Sequence, residues 1–122
     1  MRIALAVILF AHAIAHLPGF VVPWRLATLE TLPYKTTLFG GHLEIGDAGI
    51  RAVGVLWLVA ALGVAAAGVA VLARAPWGSA AILVAASLSL ALSLAEWPQA
   101  RVGVLVNIAI LAVVLVGGGR LN

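Results

Sequence analysis

Cysteine is absent from this sequence of 122 residues, and only 9% of the residues are charged. The absence of cysteine excludes disulfide bonds, thiol redox chemistry, iron–sulfur clusters and zinc sites built on cysteine. Soluble domains carry roughly 25% charged residues, so the scarcity of charge argues strongly against a soluble globular domain. Intrinsic disorder is excluded as well, because 65% of the residues are hydrophobic and disordered chains are poor in such residues.

The basic residues are few and scattered. A net charge of +3 at pH 7 arises from seven Arg and Lys residues against four Asp and Glu residues. Proteins that bind nucleic acids cluster their basic residues on one face, and this sequence contains no such run. We therefore expect no nucleic-acid partner.

Four long apolar segments account for the high hydrophobicity. A helix that crosses a bilayer needs about 20 mostly apolar residues, and a backbone inside lipid must satisfy its own hydrogen bonds. The segments are therefore predicted to be membrane helices, over Ile3–Phe20, Ile50–Ala73, Ala80–Ala95 and Val102–Gly117. The start of the chain also has the shape of a signal peptide, but the three apolar segments that follow favour a first membrane helix.

The connections between these segments predict an antiparallel bundle. Two of them, Arg74–Gly78 and Glu96–Arg101, are short turns that place successive helices side by side. The long first loop (residues 21–47) includes Trp24–Leu32, which could form a short helix on the membrane interface. The sequence thus predicts a single all-α domain over residues 1–122, an integral membrane bundle of four antiparallel transmembrane helices.

The basic residues near the ends of the helices give a weak indication of orientation. Cytoplasmic segments of membrane proteins carry an excess of Lys and Arg. One side of the predicted bundle has Arg2, Arg74 and Arg120, and the other has Arg25, Lys35, Arg51 and Arg101. Ion pairing of Arg51 and Arg101 would leave the excess on the side of the termini. We therefore expect both termini in the cytoplasm and the chain in the bacterial inner membrane.

Two histidines lie on one face of the first helix. His12 and His16 are four residues apart, so their rings project from the same side. Ionisable groups in spanning segments are costly and usually face a cavity or a partner. Such a pair can present two imidazoles to a metal such as zinc, although it is more often a hydrogen-bonded packing feature. The sequence identifies no cofactor.

A second polar stripe opens the second membrane helix, where Glu44, Asp47 and Arg51 recur at helical spacing. Asp47 is either the helix N-cap or a residue of a binding site. Arg51 is expected to form an ion pair with Asp47, Glu44 or Glu96.

Three further side chains extend the candidate site. Trp57 is either a packing residue or part of a pocket wall, and Glu96 is either an end group of the third helix or a site residue. Asn107 needs a hydrogen-bond partner inside the bundle. We predict a cavity that opens towards the long first loop and brings together His12, His16, Glu44, Asp47, Arg51, Trp57, Glu96 and Asn107.

The sequence also carries Arg2 at the start of the first helix, Pro18-Gly19-Phe20 at its end, and Glu44-x-x-Asp47-x-Gly49-x-Arg51-x-x-Gly54 at the start of the second. With these motifs and its four-helix layout, the chain resembles the DoxX-like group of small bacterial membrane proteins. The resemblance implies a four-span fold and a redox or quinone-related role in the membrane.

Three functions stay open at this point, and the sequence does not decide whether the protein is an enzyme. The polar residues could bind or act on a small hydrophobic molecule that is quinone- or lipid-like, with the histidines handling protons. They could belong to a permease-like transport subunit that works as a homo-oligomer, which predicts a watery path towards Arg2 and Arg74. They could also only hold the helices together in an accessory structural membrane protein.

Overall fold

The computed structural model describes residues 1–117, and Arg120 lies outside them. Helices make up most of the described chain, which confirms the helical part of the predicted fold. The elements in chain order are α1 (Arg2–Ala15), α2 (Pro18–Val21), β1 (Thr37–Leu38), β2 (Leu43–Glu44), α3 (Gly46–Leu72), α4 (Gly78–Ala95) and α5 (Arg101–Gly117).

Three stretches are long and apolar enough to cross a membrane, judged by length and composition alone. Among residues 1–117 these are Arg2–Val21 with 20 residues, Gly46–Leu72 with 27 and Gly78–Ala95 with 18. The first stretch combines α1 and α2, which are joined by a continuous set of backbone hydrogen bonds through His16 and Leu17. Helix α5 is also apolar but shorter, with 17 residues.

The helices pack in the order in which they follow one another along the chain. Helix α3 lies against α1, α2 and α4, and α5 lies against α4, whereas α1 and α5 approach each other much less closely. The end of the bundle near Arg74, called here the Arg74 end, is filled by an apolar core. This core contains Leu5, Leu9, Val64, Ala67, Val71, Ile82, Ala85, Ala86, Ile110 and Val114. Its alanines allow a close approach of the helix backbones.

The long first loop covers the opposite end, called here the loop end. The prediction of a short helix over Trp24–Leu32 is wrong, because this segment forms a turn and an isolated bridge between Leu29 and Leu32. Helices below about 12–15 residues are marginal without tertiary support. The segment is held by other contacts instead. The indole N–H of Trp24 donates to the backbone carbonyl of Arg51 at 3.0 Å.

A small hairpin fixes the second half of this loop. Strands β1 and β2 pair antiparallel, with Thr37 opposite Glu44. The turn between them contains Gly40 and Gly41 at φ of 65° and 92°, a left-handed conformation that glycine adopts without steric cost. The backbone N–H of Phe39 donates to the carbonyl of Ala95 at 2.8 Å. The loop is thereby tied to the end of α4.

Gly19 provides a test of the packing at the loop end. A Cβ atom added to Gly19 would lie 2.6 Å from Cγ of the buried Trp57. We expect Gly19→Ala to destabilise the protein by about 1–3 kcal/mol, as is typical of overpacking, measured by thermal unfolding in mild detergent. Gly63→Ala is the matched control, because its Cβ would meet Ala85 at an ordinary 3.4 Å. Equal midpoints for the two variants would contradict the close approach of α2 to Trp57.

Candidate functional site

A cavity of about 520 Å³ lies at the loop end of the bundle. Its volume falls within the roughly 300–1,000 Å³ of common ligand pockets. Apolar side chains from the helices and from the long first loop form most of the wall. The polar and aromatic lining residues are His12, His16, Tyr34, Lys35, Trp57, Ser93, Glu96 and Gln99.

The inner end of the cavity is bounded by two hydrogen-bonded histidines. Nδ1 of His16 lies 2.5 Å from the backbone carbonyl of His12, and a carbonyl can only accept, so Nδ1 carries the proton. In a neutral ring, Nε2 of His16 is then an acceptor. It receives the hydroxyl proton of Ser89 at 2.6 Å. The ring of His16 also meets Trp57 edge-on, with 5.2 Å between the ring centroids.

Asn107 completes this group of side chains, called here the polar network (His12, His16, Ser89 and Asn107). Its amide nitrogen donates to Oγ of Ser89 and to the backbone carbonyl of Gly103, both at 2.8 Å. Its amide oxygen accepts from Nε2–H of His12 at 3.0 Å. Each of these hydrogen bonds has one donor and one acceptor when both imidazole rings are neutral. The network links α1, α4 and α5. The expectation that Asn107 faces the bundle interior is met, since its side chain is fully buried.

The polar network bears on the suggested metal site. Nε2 of both histidines takes part in hydrogen bonds to other side chains. Within residues 1–117, no three or more His, Cys, Asp or Glu side chains are grouped so that they could hold a metal ion. A metal bound by His12 and His16 would need further ligands that this part of the chain does not supply.

An ion pair lines the cavity nearer the long first loop. Nζ of Lys35 lies 3.7 Å from Oε2 of Glu96 and donates to Oε1 of Gln99 at 2.8 Å. Glu96 is buried just beyond the end of α4. Burial raises the pKa of its carboxyl group, and the nearby Lys35 opposes this shift.

Ser93 lies on the cavity wall, and its hydroxyl has no hydrogen-bond partner within residues 1–117. The residue is 1% exposed, and Oγ is one of the buried polar atoms that are unpaired within the described residues. Gly103 of α5 allows Ser93 to pack closely against it, because a Cβ atom at Gly103 would lie 2.7 Å from Oγ of Ser93. An unpaired buried hydroxyl is unfavourable, so a hydrogen-bond partner for this atom would lower the cost of its burial.

The structure gathers part of the predicted site. Four of the predicted residues line the cavity, and they are His12, His16, Trp57 and Glu96. Asn107 lies outside the lining and accepts a hydrogen bond from His12. Three of the predicted residues, Glu44, Asp47 and Arg51, do not line the cavity.

Those three side chains have other surroundings. The carboxylate of Asp47 accepts a hydrogen bond from the hydroxyl of Tyr34 and pairs with Arg25 at 3.3 Å. Glu44 accepts from the backbone N–H of Gly46 at 2.9 Å. Arg51 is exposed and has no ion pair within residues 1–117.

The rotation of α3 about its axis explains why these residues lie outside the cavity. Ile50 and Trp57 project into the cavity, whereas the stripe through Asp47, Arg51 and Gly54 lies on a neighbouring face. Gly54 on that stripe is covered by Trp24. The helix begins at Gly46 with Ile45 as its N-cap, so Asp47 lies in the first turn and is not the cap.

Sequence reasoning missed Lys35, Gln99 and the unpaired hydroxyl of Ser93. Lys35 and Gln99 are 64 residues apart, and no spacing rule connects two loops at that separation. Ser93 shares a helix face with Ser89, a signal that was visible, but the sequence does not show which of the two serines finds a partner.

Comparison with protein-family models gives no match, and neither the curated proteins nor the solved structures show a significant similarity to this chain. The resemblance to the DoxX-like group stays a prediction. The site is therefore interpreted from its own geometry.

The polar network can be tested with a double-mutant cycle in mild detergent. We combine His12→Phe with Asn107→Leu and measure the free energy of unfolding of both single variants and the pair. Hydrogen bonds between membrane helices give coupling energies of about 0.6–1.7 kcal/mol, and we expect a value in this range. The exposed Ser87 on α4 supplies the control, because Ser87→Ala should show no coupling to Asn107→Leu. A coupling of zero for His12 and Asn107 would rule out their hydrogen bond.

Glu96→Gln tests the burial of the carboxyl group. A carboxyl whose pKa is raised on folding contributes most stability below its ordinary pKa of 4.5, and this contribution is lost as the pH rises through the folded pKa. We therefore expect the parent protein to lose stability relative to Glu96→Gln over the pH range that begins at 4.5 and rises through the folded pKa. The measurement is the difference in Tm across this range, with Glu30→Gln in the exposed part of the loop as the control. The opposite trend would show that the attraction of Lys35 outweighs burial.

Proposed function

We propose that this protein is an integral membrane protein whose four long helical segments, α1–α2, α3, α4 and α5, all cross the bilayer. The 17 residues of α5 correspond to about 26 Å at 1.5 Å per residue, close to the hydrocarbon thickness of roughly 30 Å. Large apolar side chains on the outside of the bundle support this proposal. Val84 and Leu115 are each 72% exposed, as is expected of helices that face lipid.

The cavity supports a binding function for a small, mostly apolar molecule of the quinone- or lipid-like class. The single observation that carries this proposal is an apolar cavity of about 520 Å³ with polar groups at defined positions. Apolar walls with a few convergent polar groups are typical of sites for small molecules. A bacterial inner-membrane location with both termini in the cytoplasm stays a prediction from the basic residues.

The polar network favours one second candidate, an accessory structural role. Its hydrogen bonds satisfy one another and connect three helices without any ligand. In that case, replacing a histidine would lower stability and leave ligand binding unchanged.

Transport receives less support from the cavity. The apolar core fills the Arg74 end, and neither Arg2 nor Arg74 lines the cavity. A polar path through a single chain would have to cross this core, so a transport subunit would depend on assembly into an oligomer.

Binding of decylubiquinone, a neutral quinone, tests the proposed function. Quinones quench tryptophan fluorescence, and Trp57 is the tryptophan that lines the cavity. We expect saturable quenching in mild detergent with about one ligand per chain, because pockets of this size enclose one drug-sized molecule. The saturable component should disappear in Trp57→Phe and persist in Trp77→Phe, which removes an exposed tryptophan.

His16→Ala separates the two candidate functions in the same assay. Weaker quinone binding is expected if the network borders a ligand site. Unchanged binding together with a lower Tm would favour the structural role. Quenching that never saturates, and is equal in both tryptophan variants, would contradict a binding site in the cavity.

A further inference from the structure

We propose that the ligand enters the cavity sideways from the bilayer, between α1 and α5, and that the hydroxyl of Ser93 holds its uncharged polar group, a carbonyl or a hydroxyl. This inference rests on the proposed binding function and specifies both the route and the chemical class of the ligand.

Helices α1 and α5 border the cavity on one side, and deeper in the bundle the hydrogen bond between His12 and Asn107 joins them. Helices α1 and α5 approach each other much less closely than the other neighbours, and both line the cavity. The lining residues on this side are apolar, and they are Ile8, Ala11, Ala15, Val102 and Val106. Ile8 is 49% exposed and Val102 is 66% exposed. These side chains therefore border the cavity and also reach the outer surface of the bundle, at a depth where lipid is expected.

In contrast, the long first loop obstructs entry of the ligand from the aqueous side. The long first loop places Leu32, Pro33 and Tyr34 on the cavity wall, and its hairpin is tied to Ala95. A hydrophobic molecule arriving from water would also pass the partly buried pair of Lys35 and Glu96. The apolar gap between α1 and α5 offers a path without such groups.

The polar group of the ligand is assigned from the unpaired hydroxyl. Ser93 lines the cavity, and its Oγ is buried beside Gly103 without a hydrogen-bond partner among residues 1–117. A serine hydroxyl both donates and accepts. The hydroxyl of Ser89, one turn earlier on α4, is already engaged by His16 and Asn107. A carbonyl or hydroxyl group on the ligand would satisfy Ser93 and remove the cost of a buried unpaired group.

The charge of the ligand follows from the neighbouring groups. Lys35 and Glu96 compensate each other, and the hydrogen bonds of the polar network balance with neutral imidazoles. A buried ion without a partner is strongly unfavourable. A charged head group inside the cavity would compete with one member of the pair of Lys35 and Glu96 for the other, whereas a neutral one would not.

Photolabelling with an alkylbenzophenone tests the polar contact. This neutral, lipid-soluble ketone is incorporated in phosphatidylcholine nanodiscs that contain the full chain, and the labelled peptides are mapped by mass spectrometry. Loss of one hydrogen bond should weaken saturable labelling of the cavity about three- to tenfold in Ser93→Ala. Ser87→Ala, on the exposed face of the same helix, should label like the parent protein. Equal affinities for Ser93→Ala and the parent would overturn the assignment of Ser93.

The route is tested by filling the gap. Ala11→Phe adds a ring between α1 and α5, and we expect labelling to become slower by about tenfold or more, equivalent to a barrier higher by about 1.4 kcal/mol. Ala4→Phe adds the same ring to an exposed position of α1 outside the cavity and serves as the control. Val102→Trp repeats the test from α5 if Ala11→Phe does not fold. Unchanged labelling rates in folded gap variants would overturn lateral entry.

Competition tests the charge of the ligand. Hexadecanol and hexadecyl sulfate share one chain and differ in their head groups, so each is added to the nanodiscs at the same mole fraction. Hexadecanol should reduce benzophenone labelling of the cavity, and hexadecyl sulfate should not. Stronger competition by the sulfate would overturn the preference for a neutral group.

The experiments distinguish a failure of this inference from a failure of the proposed function. If decylubiquinone quenching is saturable while Ser93→Ala and Ala11→Phe label normally, the binding function stands and the inference fails. If neither quenching nor labelling saturates, both fail. Cross-links between two chains along α1 and α5 would show that a second copy fills the gap, which also overturns lateral entry.

Discussion

A polar side chain buried between apolar helices must find its partner on a neighbouring helix, and this constraint organises the loop end of the bundle. Asn107 satisfies it by holding Ser89 and His12 at the same time. Ser89 in turn fixes the ring of His16, which meets Trp57. One amide on α5 thereby sets the positions of side chains on α1 and α4 and, through His16, the contact with α3.

The two ends of the bundle differ because their helices meet different side chains. At the Arg74 end, small and branched residues such as Ala67 and Ile82 pack without space between them. At the loop end, the helices and the long first loop enclose an open volume that is lined by the rings of His16 and Trp57. The same helices are thus closed at one end and form a cavity at the other.

The sequence predicted the long helices well, because their signal is local. Runs of apolar residues placed α3 and α4 near their observed bounds, and the helical spacing of His12 and His16 correctly put both rings on one face. The short helix over Trp24–Leu32 failed since the tertiary contact of Trp24 with α3 outweighs a weak local preference. The expected role of Arg51 failed for a related reason, since the rotation of α3 in the bundle turns Trp57 to the cavity and leaves Arg51 outside.

Residue order alone indicates that this chain forms long apolar helices with a few polar residues near one end, because composition and hydrophobic period are local properties. The contacts between these polar residues, in contrast, depend on how the helices pack. Lys35 reaches Glu96 from the long first loop, and Ser89 finds partners within residues 1–117 while Ser93 does not. The backbones of α1 and α5 approach each other less closely than those of the other packed helices. These outcomes depend on the rotation and separation of packed helices, which are set by contacts between residues far apart in the chain and have no local signature.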